Sequence, residues 1–286
     1  MQHWRASDVT SVTDSTASAS PAFPCILVYT TRERARAFVR VAFPRRRGHT
    51  ILVRNVDEFG AAIRRDLIDA VLIDLAGQGD EHWTVAATAA DFPSTPFFGL
   101  LPFRTTDAES LGRSASYGFA DVLCEQVDES TARDLVAPYC YSARFARALA
   151  DAPDALGLTS ETQRKTWSAI VQHAGRPVTT TTLASAMGVT REHLSRNFAR
   201  DHGANLKRVI DLVRLISAAE LSKNPGYDVR DVAAVLGFAS SSHLAVTTQR
   251  IASTRPASLS GLRAVDLIDR FVQGRTRSRV AGKEGL

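Results

Sequence analysis

The sequence predicts two halves of different class: an α/β domain on a five-stranded, doubly wound parallel sheet, then an all-α domain. Three observations predict it. Five short apolar runs alternate with helix-compatible segments between residues 25 and 124. A pattern of helix, glycine turn and second short helix occurs twice, near residues 183–200 and 232–250. Charge is divided as well, with 19 Lys and Arg against 10 Asp and Glu from residue 160 onward, and 16 against 20 before it.

The apolar runs of the first half are residues 25–29, 50–53, 70–75, 96–101 and 121–124. They are near-continuously apolar rather than alternating, polar only at Thr50, Asp74 and Asp121, which is the signature of strands covered on both faces, as parallel sheets are. The segments 32–43, 56–65 and 108–117 are helix-compatible and supply the crossovers that parallel strands require. Residues 129–149 read as helical and join the halves, and Pro153 and Gly157 mark a connector at 151–160.

In the second half, Leu183-Ala184-Ser185-Ala186-Met187-Gly188-Val189 is echoed by Val232-Ala233-Ala234-Val235-Leu236-Gly237-Phe238. Each copy is followed by a short helix opening on a polar residue, the layout of a helix-turn-helix. The glycines lie 49 residues apart, but His193-Leu194 recurs as His243-Leu244 at 50, so the second turn is one residue longer. With Leu194 and Phe198 inward at i and i+4, the outer face of the first recognition helix carries Arg191, Glu192, Ser195 and Arg196. An Arg there can bond guanine O6 and N7 or a phosphate. Glu192 can accept from a cytosine amino group or pair with a neighbouring Arg.

The ordered run of Leu183-Ala184, Gly188-Val189, His193-Leu194-Ser195-Arg196-Asn197-Phe198 and Gly203 continues through the helix from Val213 to Leu221, then Val232-Ala233, Leu236-Gly237-Phe238 and Pro256. This run resembles the paired helix-turn-helix domain of AraC/XylS-type transcription regulators. The resemblance implies two units joined by one long helix, reading adjacent major-groove segments of double-stranded promoter DNA. Arg191, Ser195 and Arg196 would carry most of the base reading, with Arg200 and Arg250 on phosphate.

The second unit departs from the family. Val246 and Thr248 stand where the family usually has an Arg and then an aromatic. Its expected outer surface is Ser240, Ser241, Ser242, His243 and Thr247, with charge only at Arg250. Hydroxyls bond phosphates and base edges without the counterion release that cations bring. This arm is therefore expected to be weaker or less selective, with a packing scaffold as the alternative.

The first half resembles the flavodoxin-like receiver domain of bacterial response regulators, through Asp69 to Asp74, Thr95-Pro96 and Gly118 to Leu123. Asp74 stands at the phosphoacceptor position. The partners such chemistry needs are replaced: Thr30-Thr31 stand at the acidic pair, Leu101 at the hydroxyl residue and Glu125-Gln126 at the Lys-Pro pair. Phosphoryl transfer to Asp needs carboxylates for Mg²⁺ and a Lys for the new charge. The expectation is a pseudo-receiver that regulates or dimerises, with Asp74 as a strand-end carboxylate bonding local backbone; the alternatives are a phosphorylation-gated response regulator using Asp74 and a protein-interaction adaptor or antagonist with weakened DNA binding.

The resulting organisation is a disordered leader at 1–22, the receiver-like domain at 23–150, the connector, the DNA-binding domain at 161–272 and a basic disordered tail at 273–286. Cys25, Cys124 and Cys140 have neither disulfide nor metal spacing, which fits reduced thiols in a cytoplasmic protein. No phosphate loop, GxGxxG, HExxH or nucleophile elbow is present, so nothing supports an enzyme, a metal or a cofactor. Promoter DNA, a homodimer through the first half, and RNA polymerase or another regulator are the expected partners, with no membrane contact.

Overall fold

The computed structural model describes residues 24–281 apart from 78, 103, 105–106, 126–128 and 201–203, and for 47 and 275–281 it describes the backbone alone. The expected leader therefore lies outside the described residues, as do Gly203 and Gln126.

Strands β1 (Cys25–Tyr29), β2 (His49–Val53), β3 (Ala70–Asp74), β4 (Phe97–Leu101) and β5 (Asp121–Cys124) pair in parallel in the order β2-β1-β3-β4-β5. That is the flavodoxin-like, doubly wound order. Alternate residues serve opposite faces. On one face Ile26, Val28, Leu72 and Leu100 meet α1 (Glu33–Ala42) and α5 (Glu129–Val136) through Phe38, Val39, Ala132 and Val136. On the other, Leu27, Val71 and Ile73 meet α2 (Val56–Arg65) and α3 (Glu81–Ala87) through Phe59, Ile63 and Val85. The seven-residue α3 has no strong sequence signal, and α4 (Ala108–Ser116) buries only Ser114.

The helical stretch expected at 129–149 is broken at Pro138, where a 3₁₀ turn separates α5 from α6 (Tyr141–Ala148). Proline lacks the N–H that a continuous helix would need. The connector is packed rather than loose: it holds α7 (Ala152–Ala155), with Ala152, Pro153, Leu156 and Leu158 buried. Helix α8 (Glu161–Gln172) opens on a capping box between Ser160 and Gln163. Then come α9 (Thr180–Ala186), α10 (Arg191–Ala199), α11 (Leu206–Leu221), α12 (Val229–Val235), α13 (Ser241–Ala252) and α14 (Ala264–Ala281). Helix α11 buries ten of its sixteen residues and contacts α8, α10, α12, α13 and α14, so it is the axle of this half.

One expectation about the C-terminus needs correction. The chain does not become irregular at 273, because α14 continues to Ala281. Buried Leu267, Ile268 and Phe271 anchor its first turns, and extending a nucleated helix through Arg-rich sequence is far easier than starting one. Among the described residues, no helix is long and apolar enough to cross a membrane.

The two halves share one apolar cluster and a dense set of polar ties. The Phe92 ring meets Tyr227 edge-on with centroids 4.9 Å apart, and Tyr227 Oη donates to the carbonyl of Ile63 at 2.9 Å. Gly226 lies so close to Phe92 that a Cβ there would sit 2.4 Å from the ring. The Ser94 N–H donates to Asn224 Oδ1 at 2.9 Å, and Tyr141 and Ser217 hydroxyls pair at 2.9 Å.

The most connected tie is Asp69. Its fully buried carboxylate accepts from the N–H groups of Cys25 (2.7 Å) and Ser142 (2.8 Å) and from Arg176 Nη2 (2.5 Å). Arg176 also donates to the carbonyl of Leu67 at 2.8 Å. Removing one partner of a buried pair strands the other charge, so Asp69→Ala is expected to cost about 3–5 kcal/mol. Urea unfolding followed by circular dichroism measures it, and a loss below about 1 kcal/mol, the scale of an exposed pair, would show that Asp69 does not hold the halves together.

Candidate nucleic-acid interface

Helices α9 and α10 form the first unit, and α12 and α13 the second, through turns built from the same bonds. Gly188 (φ 66°) and Gly237 (φ 64°) take the left-handed conformation that only glycine adopts cheaply. The N–H of Val189 returns to Ala184 O at 3.0 Å, and that of Phe238 to Ala233 O at 2.8 Å. The next helix is capped by Thr190 in one copy and Ser240 in the other, whose hydroxyls accept from His193 N (3.2 Å) and His243 N (3.1 Å). Helix α10 starts three residues after its glycine and α13 four, the extra residue predicted from the unequal spacing.

The surroundings of the two glycines differ. A Cβ on Gly188 meets nothing within 4 Å, whereas one on Gly237 falls 2.5 Å from the Pro177 ring. Arg214 reinforces the second turn from α11, with Nε–H donating to Leu236 O at 2.8 Å and the guanidinium 3.8 Å from the Phe238 ring centre.

In α10, Leu194 and Phe198 are buried and the opposite face is open. Arg191, Glu192, Arg196 and Arg200 are exposed, and Ser195 is half-buried. Arg191 and Glu192 pair at 3.0 Å. Hydrogen bonding to its own backbone N–H and to Arg191 holds the Glu192 carboxyl below its usual range. Arg200 leans on Asn197 Oδ1 at 3.2 Å, while Arg196 makes no ion pair with a described residue. Arg191, Glu192 and Ser195 also border a surface hollow with Thr180 and Lys207. The sequence reading missed those two, because they lie on neighbouring helices at no fixed spacing from α10.

In α13, Ser241 is half-buried and Ser242 and His243 are exposed. The His243 ring stands edge-on to Phe238 at 5.5 Å and accepts the Ala239 N–H at 3.4 Å. Thr247, expected on the outer surface, is instead 1 % exposed. It stands i+3 from Leu244 and i−4 from Ile251, both buried, so helical periodicity turns it inward. Thr248 is buried too and bonds back to Leu244 O at 2.8 Å. Val246 and Gln249 also point outward, and the sequence reading chose neither as a contact. Arg250 is paired with Asp211 of α11 at 2.7 Å.

Asp74, at the carboxyl end of β3, is buried and fully engaged. Thr30 Oγ1 donates to it at 2.6 Å, Arg32 at 2.8 Å through Nε and 2.6 Å through Nη2, and the Ala76 N–H at 3.1 Å. Local backbone bonding was expected; the Arg32 clamp was not. Arg32 also pairs with buried Glu125. Burial alone would lower the Arg32 pKa, but the bonds to Asp74 and Glu125 outweigh it and raise it. A guanidinium thus occupies the space beside the carboxylate where an acceptor would need to be open.

Residues 183–260 match a family model described as a helix-turn-helix domain. This segment is a helix-turn-helix domain of the AraC type. Such a domain belongs to DNA-binding transcription regulators, and here it follows a receiver-like domain. Similar solved structures include a response regulator from Thermotoga maritima, at 20% identity over 41% of this chain and 97% of that one, TM-score 0.36. A response regulator protein from Burkholderia pseudomallei with a phosphorylated aspartic acid has 14% identity over 62% and 99%, TM-score 0.35. Full-length FixJ from B. japonicum has 11% identity over 75% and 97%, TM-score 0.37. Strand order, rather than these distant likenesses, establishes the flavodoxin-like, doubly wound fold of the first half. No curated protein matches the chain.

The contrast between the turns is measurable. Gly188→Ala should cost about 1 kcal/mol, the strain of a positive φ. Gly237→Ala should cost clearly more, because the Pro177 ring cannot swing away. Equal shifts in thermal midpoint would show that the second turn is no tighter than the first.

Proposed function

We propose that the chain is a sequence-specific transcription regulator whose AraC-type domain reads adjacent major-groove segments of promoter DNA, while its receiver-like half regulates or dimerises it without phosphorylation. The observation that carries the reading is the AraC-type domain with an open, basic α10 face. In this reading Arg191, Ser195 and Arg196 contact bases, Glu192 orients Arg191, and Arg200 contacts phosphate. Ser242 and His243 act from α13, with Ser241 beside them and Arg250 near the backbone. The partners are double-stranded promoter DNA, a second copy of the chain, and RNA polymerase or another regulator in the cytoplasm.

The Arg32 clamp supports independence from phosphorylation. Neutralising Asp74 with a guanidinium removes the free carboxylate a phosphodonor would meet, and Glu125 adds negative charge where a phosphate would need stabilising. The protein mass is expected to stay unchanged after treatment with acetyl phosphate and Mg²⁺. A gain of one phosphate, lost on Asp74→Asn, would establish a phosphorylation-gated regulator instead.

DNA reading is tested by selecting bound fragments from genomic DNA and titrating the enriched duplex against salt. An enriched motif whose affinity falls steeply with salt is expected, since each phosphate-bound cation releases a counterion. Arg196→Ala should lose about 1–3 kcal/mol of binding and relax the preference at one base pair. No enrichment, with shallow salt dependence only, would favour a protein-interaction adaptor.

A further inference from the structure

We propose that the second recognition helix reads thymine through an uncharged stripe, with Val246 packed on a thymine 5-methyl group and Gln249 bonded to an adenine at the neighbouring pair. This rests on the DNA-reading function proposed above and names what its second arm recognises.

Three observations converge on the stripe. First, Ser242, Val246 and Gln249 follow one another at i, i+4 and i+7, which places them on one line of α13, opposite buried Leu244, Thr248 and Ile251. Second, Val246 is 65% exposed, more than any other large apolar side chain among the described residues. The inward face of α13 is complete without it, so the core does not explain its presence. Third, the one permanent charge of this helix is compensated, because Arg250 is held by Asp211 at 2.7 Å. The stripe of Val246 and Gln249 left for a partner is small, apolar and amide-bearing, with the Ser242 hydroxyl in line and the His243 imidazole beside it.

Those properties match one pattern in the major groove. Thymine presents a methyl group beside its O4, and adenine presents the N6 donor and N7 acceptor that a carboxamide meets with two bonds. A β-branched side chain is almost confined to one rotamer in a helix, so Val246 is already presented and loses little freedom on contact. Val246 and Gln249 are separated by about 4.5 Å along the helix axis. That is close to the spacing of about 3.4 Å between successive bases of one strand. The two side chains therefore address adjacent base pairs rather than one. An Arg in place of Val246 would select guanine or phosphate; a valine does neither.

The test uses the full chain and the duplex enriched from genomic DNA. Each thymine of the second half-site is replaced in turn by deoxyuridine, which deletes the methyl and nothing else. For the wild-type protein, one such swap should weaken binding about fourfold, the value of one buried methyl-sized group. Val246→Ala should weaken binding to the thymine duplex by a similar or larger factor and no longer respond to that swap. Gln249→Ala should relax the adenine preference at the adjoining pair only. Because Val246 is exposed, its variant should unfold at the wild-type midpoint, which separates lost contact from lost fold. Independent losses from the swap and the variant, or wild-type affinity in Val246→Ala, would overturn the assignment while leaving the α10 reading intact. If the wild-type protein enriches no duplex at all, the DNA-reading function falls and this assignment falls with it.

Discussion

The carboxylate of Asp69 lies at the amino end of β3, out of contact with water, and is shared among three parts of the chain. It receives the first N–H of β1, an N–H at the start of α6, and the guanidinium of Arg176 from the turn ahead of α9. A buried carboxylate is tolerable only when its lone pairs are met, and here each donor comes from a different element. The sheet, the joining helix and the DNA-binding half are thereby held in one arrangement. The apolar contacts around Phe92, Tyr227 and Gly226 extend the same interface along α2 and α12. The receiver-like half is consequently set against the scaffold helix of the second unit, while α10 and α13 keep their outer faces open.

The two units share turn geometry and differ in what they present. Helix α10 offers cations, one of them, Arg196, in no ion pair with a described residue. Helix α13 offers hydroxyl, imidazole, isopropyl and amide groups, and its arginine is bound to Asp211. Phosphate attraction and base discrimination are separate contributions to DNA binding. In the proposed function, a charged first arm and a neutral second arm would divide them unequally: the first arm would supply most of the long-range attraction, and the second would act only after contact.

At the opposite end of β3, five residues from Asp69, Asp74 is closed by Arg32. The same strand thus carries one buried ion pair at each end, one internal to the sheet domain and one across the domain interface. Both are buried carboxylate–guanidinium pairs, the geometry in which arginine bonds most strongly. Neither end leaves a carboxylate open to chemistry.

Local pattern determined much of this protein. Apolar runs set the five strands, the glycine repeats set both turns, and the one-residue difference in spacing set the longer second turn. The inward direction of Thr247 is also legible, since it falls on the Leu244–Ile251 face. All of these follow from periods of two or 3.6 residues or from the special backbone of glycine, which any short window reveals. What the tertiary structure alone decided involves distant partners. Arg176 meets Asp69 across 107 residues, and Arg32 meets Glu125 across 93. No spacing rule links such residues, because their meeting depends on how whole elements pack. The docking of the two halves and the closure of Asp74 were therefore settled by packing, whereas the class of each half was settled by sequence.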